Sequence, residues 1–232
     1  EVIARVEDLT DLVKGAGEPL SGDLYMGVIP TISPFLLPRV FPRLRKSYAD
    51  LKLYLREEKT ASLLRKMADG SLDLVLIAMP YKTEKVEIFE FAVDPFVMVF
   101  PRGHSIGDYE TITPARVSED ALLVMEDGNC LTDQTLSMGK LSERIDRTQL
   151  QASSLHTLVQ MVDNGLGLTV LPKMAVDAGI MRGLKLDFRP FSSPKASRRI
   201  ALAWRTTSHR GDEFRMLGEF LRDELGTPVR GG

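Results

Sequence analysis

The stretch Asp73-Leu-Val-Leu-Ile-Ala-Met79 is almost continuously apolar. A strand that is covered by helices on both faces has this pattern, which is typical of a parallel sheet. Upstream of it, hydrophobic spacing predicts two more strands and two helices, in the order strand 23–29, helix 33–44, strand 51–55 and helix 60–67. Strands that alternate with helices in this way predict a parallel α/β unit with right-handed crossovers.

The predicted helices have ordinary end signals. Ser33 is placed to cap the first helix, with Pro34 at its first helical position. Thr60 begins the second helix, and Gly70 ends it. Four hydroxyls follow strand ends along the whole chain, namely Thr31, Thr60, Ser153 and Ser154. Their ordinary role is helix capping, but hydroxyls and free N–H groups that meet in one cleft would also receive a carboxylate or a peroxide.

A second α/β unit is predicted from the remaining residues. Two apolar runs between Glu87 and Phe100 are separated at Asp94-Pro95, where we expect a break between two extended segments. Further strands are predicted at 121–125, 149–152, 168–171, 184–188 and 199–204, with helices after Pro114, from Cys130, from Ser154, after Pro172 and at 213–225. The simplest account is an α/β fold of two lobes joined by more than one crossing, with ligands bound in the cleft between them.

Composition excludes several classes of function. The 232 residues carry 30 Lys and Arg against 32 Asp and Glu, a net charge of −2 with no basic block, so we expect no direct binding of nucleic acid by this chain. The three scattered histidines, His104, His156 and His209, and the single cysteine lack the spacing of a metal site. No phosphate loop or nucleophile elbow is present, and no apolar run is long enough to span a membrane. We therefore expect a soluble cytoplasmic protein that is not an enzyme and has no cofactor.

Cys130 is the sharpest single feature of the sequence. It follows the polar turn Asp127-Gly-Asn129 and begins a predicted helix. A helix N-terminus stabilises a thiolate, which is the form of cysteine that attacks peroxides, whereas Asp127 and Asp133 oppose that form. A lone cysteine is more often a small buried hydrophobe. Arg198 and Arg199 are either solvated or, near Cys130, the cationic partner that a thiolate requires.

Four segments in order resemble the effector-binding domain of LysR-type transcriptional regulators: residues 21–31, 36–38, 69–73 and 165–172. The resemblance covers about the whole chain and implies a two-lobed fold of two Rossmann-like lobes, like that of type II periplasmic binding proteins. Lobe I would be residues 21–96 and 198–226, lobe II residues 97–197, residues 1–20 the end of a linker helix, and residues 227–232 a tail. Residues 29–31, 57–60, 126–134 and 152–155 are similar to the OxyR subfamily of peroxide sensors.

This resemblance implies site residues. Cys130 matches the redox-sensing cysteine, Thr31, Thr60 and Asp133 match residues around the peroxide, and Arg198 falls near the arginine that favours the thiolate. We add Asn129, Ser153 and Ser154 to the expected ligand-binding residues. The family also implies a homodimer or homotetramer that binds DNA through an N-terminal winged helix-turn-helix domain outside this chain. The helix near Ser33 and the strand before Phe89 are interface candidates, and residues 126–146 are the expected switch segment.

One position departs from the subfamily. The second, resolving cysteine expected nine residues after Cys130 is replaced by Gly139, naturally or by engineering. Because an intramolecular disulfide is excluded, oxidation would end in a sulfenic acid, a mixed disulfide or an intersubunit bond, unless Cys130 has lost its redox role. The alternatives are a LysR-type domain that binds a small organic anion, with Cys130 structural, an exported solute-binding protein, and a thiol peroxidase.

Overall fold

The computed structural model describes residues 18–81, 85–113, 116–117, 121–136 and 151–226. Contacts along the chain divide it into two compact units, residues 1–93 with 199–232 (unit 1) and residues 94–198 (unit 2). The boundaries predicted from the sequence, 96/97 and 197/198, lie in the same two strands as these divisions. The expectations for residues 1–16, Pro114, Gly139, residues 137–146, residues 149–150 and the tail 227–232 lie outside the described residues.

Unit 1 is built on a mixed sheet with the order β2-β1-β3-β9. Its strands are β1 (Gly22–Val28), β2 (Leu51–Glu57), β3 (Leu74–Met79) and β9 (Ser197–Arg205). β1 pairs in parallel with both β2 and β3, and β9 returns antiparallel to β3. All six residues of β3 are buried, as its apolar sequence predicts.

The helices of unit 1 are α1 (Ser33–Ser47), α2 (Thr60–Ala68) and α6 (Gly211–Leu225). Each turns an aliphatic or aromatic face towards the core, such as Phe214, Leu217 and Leu221 of α6. The predicted cap of α1 is wrong: Ser33 lies inside the helix, and the capping position is taken by Ile32, which makes no side-chain cap. Backbone hydrogen bonds to the main-chain oxygens of Ile29 and Ile32 hold the start of the helix in place of the expected hydroxyl cap.

Unit 2 is a second sheet, in which β4 pairs with β7 and β8, and β5 pairs with β7 and β6. Its strands are the part of β4 (Val86–Pro101) from Asp94 onward, β5 (Leu122–Met125), β6 (Gln151–Ala152), β7 (Leu168–Pro172) and β8 (Leu186–Pro190). Its helices are α3 (Cys130–Leu136), α4 (Leu155–Asp163) and α5 (Lys173–Asp177), with a 3₁₀ turn at Ser105–Asp108. The α/β prediction is confirmed in both units.

The expected break at Asp94-Pro95 is wrong, because β4 is one continuous strand of 16 residues. Pairing with β7 begins only at Phe96, so Pro95 lies just before this ladder and its missing N–H costs no bond there. Within the described residues, no helix has the length and apolarity that crossing a membrane requires.

Two glycines after α4 give a test of the backbone around this sheet. A Cβ on Gly167, at φ +153°, would lie 2.3 Å from the main-chain oxygen of Ala121, whereas a Cβ on Gly165, at φ +75°, meets nothing within 4 Å. We expect Gly167→Ala to lower the free energy of unfolding by about 2 kcal/mol more than Gly165→Ala, which pays only for its left-handed backbone. Urea unfolding followed by circular dichroism measures both, and equal losses would contradict the close approach.

Candidate functional site

The segment that carries Cys130 is a tight turn between β5 and α3. The amide of Asn129 donates to the oxygen of Glu126 at 3.4 Å, and Gly128 has φ +83°, the left-handed conformation that glycine adopts without strain. The side-chain amide of Asn129 donates to the same Glu126 oxygen at 2.9 Å. These two hydrogen bonds to one carbonyl oxygen hold the turn. As the sequence predicts, α3 then begins at Cys130.

Cys130 is buried, with 7% of its surface exposed, and Asn129 is buried beside it in the chain at 5%. The Asn129 oxygen accepts the amide of Thr132 at 3.0 Å, which starts the hydrogen-bonding of α3. Asp133, by contrast, is exposed. The structure therefore keeps the carboxylate of Asp133 on the solvent side of α3 while the thiol lies on the buried side.

The inner face of α3 packs on β5. The Thr132 hydroxyl donates to the oxygen of Met125, the last residue of β5, at 2.9 Å. A small cavity lies under the helix, and the Thr169 hydroxyl on β7 donates to the Leu123 oxygen beside it at 2.9 Å. The residues around the cavity come from β5, α3, α4 and β7: Leu123, Val124, Met125, Leu131, Thr132, Thr135, Leu158, Thr169 and Val170.

Parallel pairing brings the predicted serines to the same sheet edge as Cys130. β5 and β6 run in parallel with Met125 opposite Ala152, and the Glu126 amide donates to the Ala152 oxygen at 3.0 Å. The turn before α3 and the serines after β6 therefore follow the ends of two adjacent strands. Ser154 caps α4 by accepting the Thr157 amide at 3.1 Å, which confirms its predicted capping role, and Ser153 is exposed.

In unit 1, the predicted threonines follow adjacent parallel strands, β1 and β2. Thr31 is 1% exposed and Thr60 is 2% exposed. Thr60 is not the cap of α2, since Lys59 takes that position and no side chain caps the helix, so the expected capping role of Thr60 is wrong. Among the described residues, the Thr60 hydroxyl oxygen is buried without a hydrogen-bond partner. Such a group costs about 1–3 kcal/mol unless a ligand or water satisfies it.

Glu58 lies two residues before Thr60 and is hydrogen-bonded to side chains of α2. Its carboxylate accepts the hydroxyl of Ser62 at 2.5 Å and also bonds the ammonium of Lys66. The bonds from Lys66 and then Ser62 hold the pKa of Glu58 below its ordinary value. Because a lowered pKa favours the ionised form in the folded state, this contribution to stability is present at neutral pH and is lost as the pH falls through the folded-state pKa.

Arg198 is fully buried and pairs with Asp94, which lies at the break predicted from the sequence. The Asp94 Oδ2 accepts from Nε and Nη2 of Arg198 at 3.0 Å each, and its Oδ1 accepts the Met174 amide at 2.9 Å. The sequence contains one indication that Asp94 has a buried partner, because Asp94 is an acidic residue inside an otherwise apolar run. The role of Arg198 beside the thiolate stays a prediction.

Within the described ranges, no group of three His, Cys, Asp or Glu side chains could hold a metal ion.

Comparison with known proteins assigns the family. The model of the LysR substrate binding domain matches residues 17–226. The chain belongs to the LysR substrate-binding domain family. It is 37% identical over 231 residues to the "Probable hydrogen peroxide-inducible genes activator" of Streptomyces viridosporus, covering 99% of this chain and 74% of that protein. It is 32% identical over 227 residues to the "DNA-binding transcriptional dual regulator OxyR" of Escherichia coli K12, covering 97% and 73%.

Solved structures agree with this assignment. The reduced regulatory domain of OxyR2 from Vibrio vulnificus matches with a TM-score of 0.83 at 35% identity, covering 90% of this chain and 98% of that one. A hydrogen peroxide-bound cysteine mutant of OxyR from Corynebacterium glutamicum matches with a TM-score of 0.85 at 28% identity, covering 97% and 71%. The chain is the regulatory domain of an OxyR-type LysR regulator, and both the predicted resemblance and the periplasmic-binding-protein-like fold class are confirmed.

The buried pair gives a test by comparison with an exposed one. We expect Arg198→Met to lower the free energy of unfolding by about 3–5 kcal/mol, because it leaves the Asp94 carboxylate buried without its cation. Arg43→Met removes an arginine that bonds both oxygens of Glu224 but is 72% exposed, and we expect a loss of less than about 1 kcal/mol. Chemical unfolding of both variants measures the difference. Similar losses in the two variants would show that burial does not increase the contribution of the Arg198–Asp94 pair to the free energy of unfolding.

Proposed function

We propose that this domain senses hydrogen peroxide through Cys130. The observation that carries the proposal is the position of Cys130, a buried thiol at the first residue of α3, at the end of a turn fixed by Asn129. The family supports it, since relatives include hydrogen peroxide-inducible activators and a peroxide-bound OxyR structure. Asn129 would act by shaping the turn, and Ser153, Ser154, Thr31 and Asp133 stay predicted ligand-binding residues.

The chemistry is a two-electron oxidation of sulfur. The thiolate of Cys130 attacks one oxygen of the peroxide, the S–O bond forms as the O–O bond breaks, and the hydroxide that leaves takes up a proton to become water. The product is a sulfenic acid. Since Cys130 is the only cysteine of these 232 residues, no second thiol among them can convert it to a disulfide. The signal would therefore be the sulfenic acid itself, a mixed disulfide, or a bond between Cys130 residues of two chains.

The same proposal covers the partners. We propose that the domain works as a homodimer or homotetramer in the cytoplasm and transmits the oxidation of Cys130 to an N-terminal DNA-binding domain, which changes the spacing of the DNA-binding domains on their site. The oxidised sulfur has no catalytic turnover in this scheme, because nothing in it recycles the sulfenic acid. The domain would be a sensor and not a peroxidase.

Intact mass spectrometry after substoichiometric peroxide tests the role of Cys130. With a sulfenic-acid trap present, we expect one trap adduct per chain, and Cys130→Ser should gain none. A wild-type chain that gains neither oxygen nor a disulfide partner at micromolar peroxide would refute the redox proposal. A purified chain that carries a bound organic anion, and whose Cys130→Ser variant still responds to that anion, would favour the anion-binding alternative.

Thr60 gives a second test, with opposite effects on stability and function. We expect Thr60→Val to raise the free energy of unfolding by about 1 kcal/mol, since it removes a buried hydroxyl oxygen that has no partner in the described structure. If the hydroxyl binds peroxide, the same variant should slow the trapping of oxidised Cys130. Thr60→Ser, which keeps the hydroxyl, should restore the rate. A Thr60→Val protein that is more stable and oxidises at the wild-type rate would assign Thr60 no part in binding.

A further inference from the structure

The chain enters unit 1 through a strained turn just before β1. Leu20 has φ +57°, a left-handed conformation that bulky L-residues rarely adopt, and yet its surface is only 1% exposed. Gly22, the first residue of β1, is also left-handed, at φ +71°. A buried residue keeps a strained backbone only where the surrounding contacts over-determine it. The turn is therefore held by contacts from outside its own residues.

These contacts come from the start of α6, 193 residues further along the chain. The Leu20 amide donates to Oε2 of Glu213 at 3.2 Å. Arg210, the residue before α6, donates from Nη1 to the main-chain oxygen of Asp23 at 2.8 Å and from Nη2 to that of Ser21 at 3.5 Å. The acid thus holds a main-chain N–H of the turn, and the arginine holds two of its main-chain oxygens.

The two side chains also hold each other. Nη2 and Nε of Arg210 donate to Oε2 of Glu213 at 3.0 and 3.3 Å. The Arg210 side chain is only 11% exposed, and its guanidinium carbon lies 5.7 Å from the ring centre of Phe214. Charge-assisted bonds made by a guanidinium fork are strong and directional, and burial protects them from screening by salt. Because the same Oε2 accepts the Leu20 amide, the ion pair and the turn form one network.

We propose that Arg210 and Glu213 form an entry clamp, which sets the direction in which the chain leaves unit 1 towards residues 1–17 and transmits movements of unit 1 to a domain attached there. This inference rests on the proposed function for the attached DNA-binding domain and adds the residues that couple unit 1 to it. A free turn would absorb a movement by rotation about its backbone bonds, whereas a bonded turn passes it on. Both residues act as positioning residues and need no contact with Cys130.

The first experiment measures the entry clamp in the 232-residue chain. Glu213→Leu removes the acceptor of the Leu20 amide, and we expect hydrogen exchange of that amide, followed by NMR, to be about tenfold faster. Glu213→Gln keeps an oxygen that accepts this bond, and its exchange should stay within about threefold of the wild-type rate. The amides of β3 are the internal reference in every sample.

Arg222→Gln is the matched control. Like Arg210, Arg222 pairs with an acid three residues away on α6 and lies over an aromatic ring, that of Phe89. None of its described contacts is with residues 20–23, so we expect its removal to leave the exchange of Leu20 at the wild-type rate.

The second experiment measures transmission in the full-length regulator, with its DNA-binding domain attached. We expect Arg210→Gln and Glu213→Leu to form the Cys130 trap adduct at the wild-type rate, because the entry clamp lies in unit 1 and Cys130 in unit 2. On oxidation, their DNase I footprints should change by less than about half as much as the wild-type footprint. Arg222→Gln should keep both the adduct and the full change of footprint.

The outcomes separate this inference from the proposed function. Wild-type exchange of the Leu20 amide in Glu213→Leu would refute the entry clamp. Faster exchange together with a full change of footprint in both clamp variants would refute the coupling. If no protein forms an adduct, the proposed function fails and the coupling fails with it, while the exchange of Leu20 still decides whether the clamp holds the turn. Two clamp variants are used so that the misfolding of one leaves the other as the test.

Discussion

The carboxylate of Asp94 connects three elements that lie far apart in the sequence. One oxygen accepts the guanidinium of Arg198, at the start of β9, and the other accepts the amide of Met174, in the first turn of α5, while Asp94 itself belongs to β4. A buried charge is tolerated only when it is paired and hydrogen-bonded, so each of these three elements is constrained by the other two. Asp94 and Arg198 are also the first and last residues of unit 2, where β4 and β9 leave it. The ion pair therefore joins the two residues at which the chain enters and leaves the unit that contains Cys130.

The parts of the fold that follow from local patterns could be predicted from the sequence. The apolar run of β3 and the aliphatic spacing of α4 with its Ser154 cap are set by residues that are close together in the chain. The break predicted at Asp94-Pro95 failed because the outcome there depends on distant residues. Asp94-Pro95 has the local pattern of a break, but Pro95 precedes the ladder with β7, and the partner of Asp94 lies 104 residues away. No local pattern carries that information.

The candidate site shows the same limit. The position of Cys130 at the start of a helix could be predicted, because the turn before it is formed by the adjacent residues Gly128 and Asn129. The burial of Thr60 without a partner could not, since the capping signal of a threonine before a helix is identical whether its hydroxyl caps or not. Proteins leave such costs uncorrected mainly at functional sites, where a ligand satisfies the group.

The single cysteine changes what the rest of the unit must supply. A sensor that closes an internal disulfide gains a covalent constraint that can hold a new arrangement against a large opposing energy. This chain has no second thiol, so oxidation of Cys130 would add one oxygen and at most a bond to another molecule. A local perturbation of that size shifts a helix only if the helix is already close to balance.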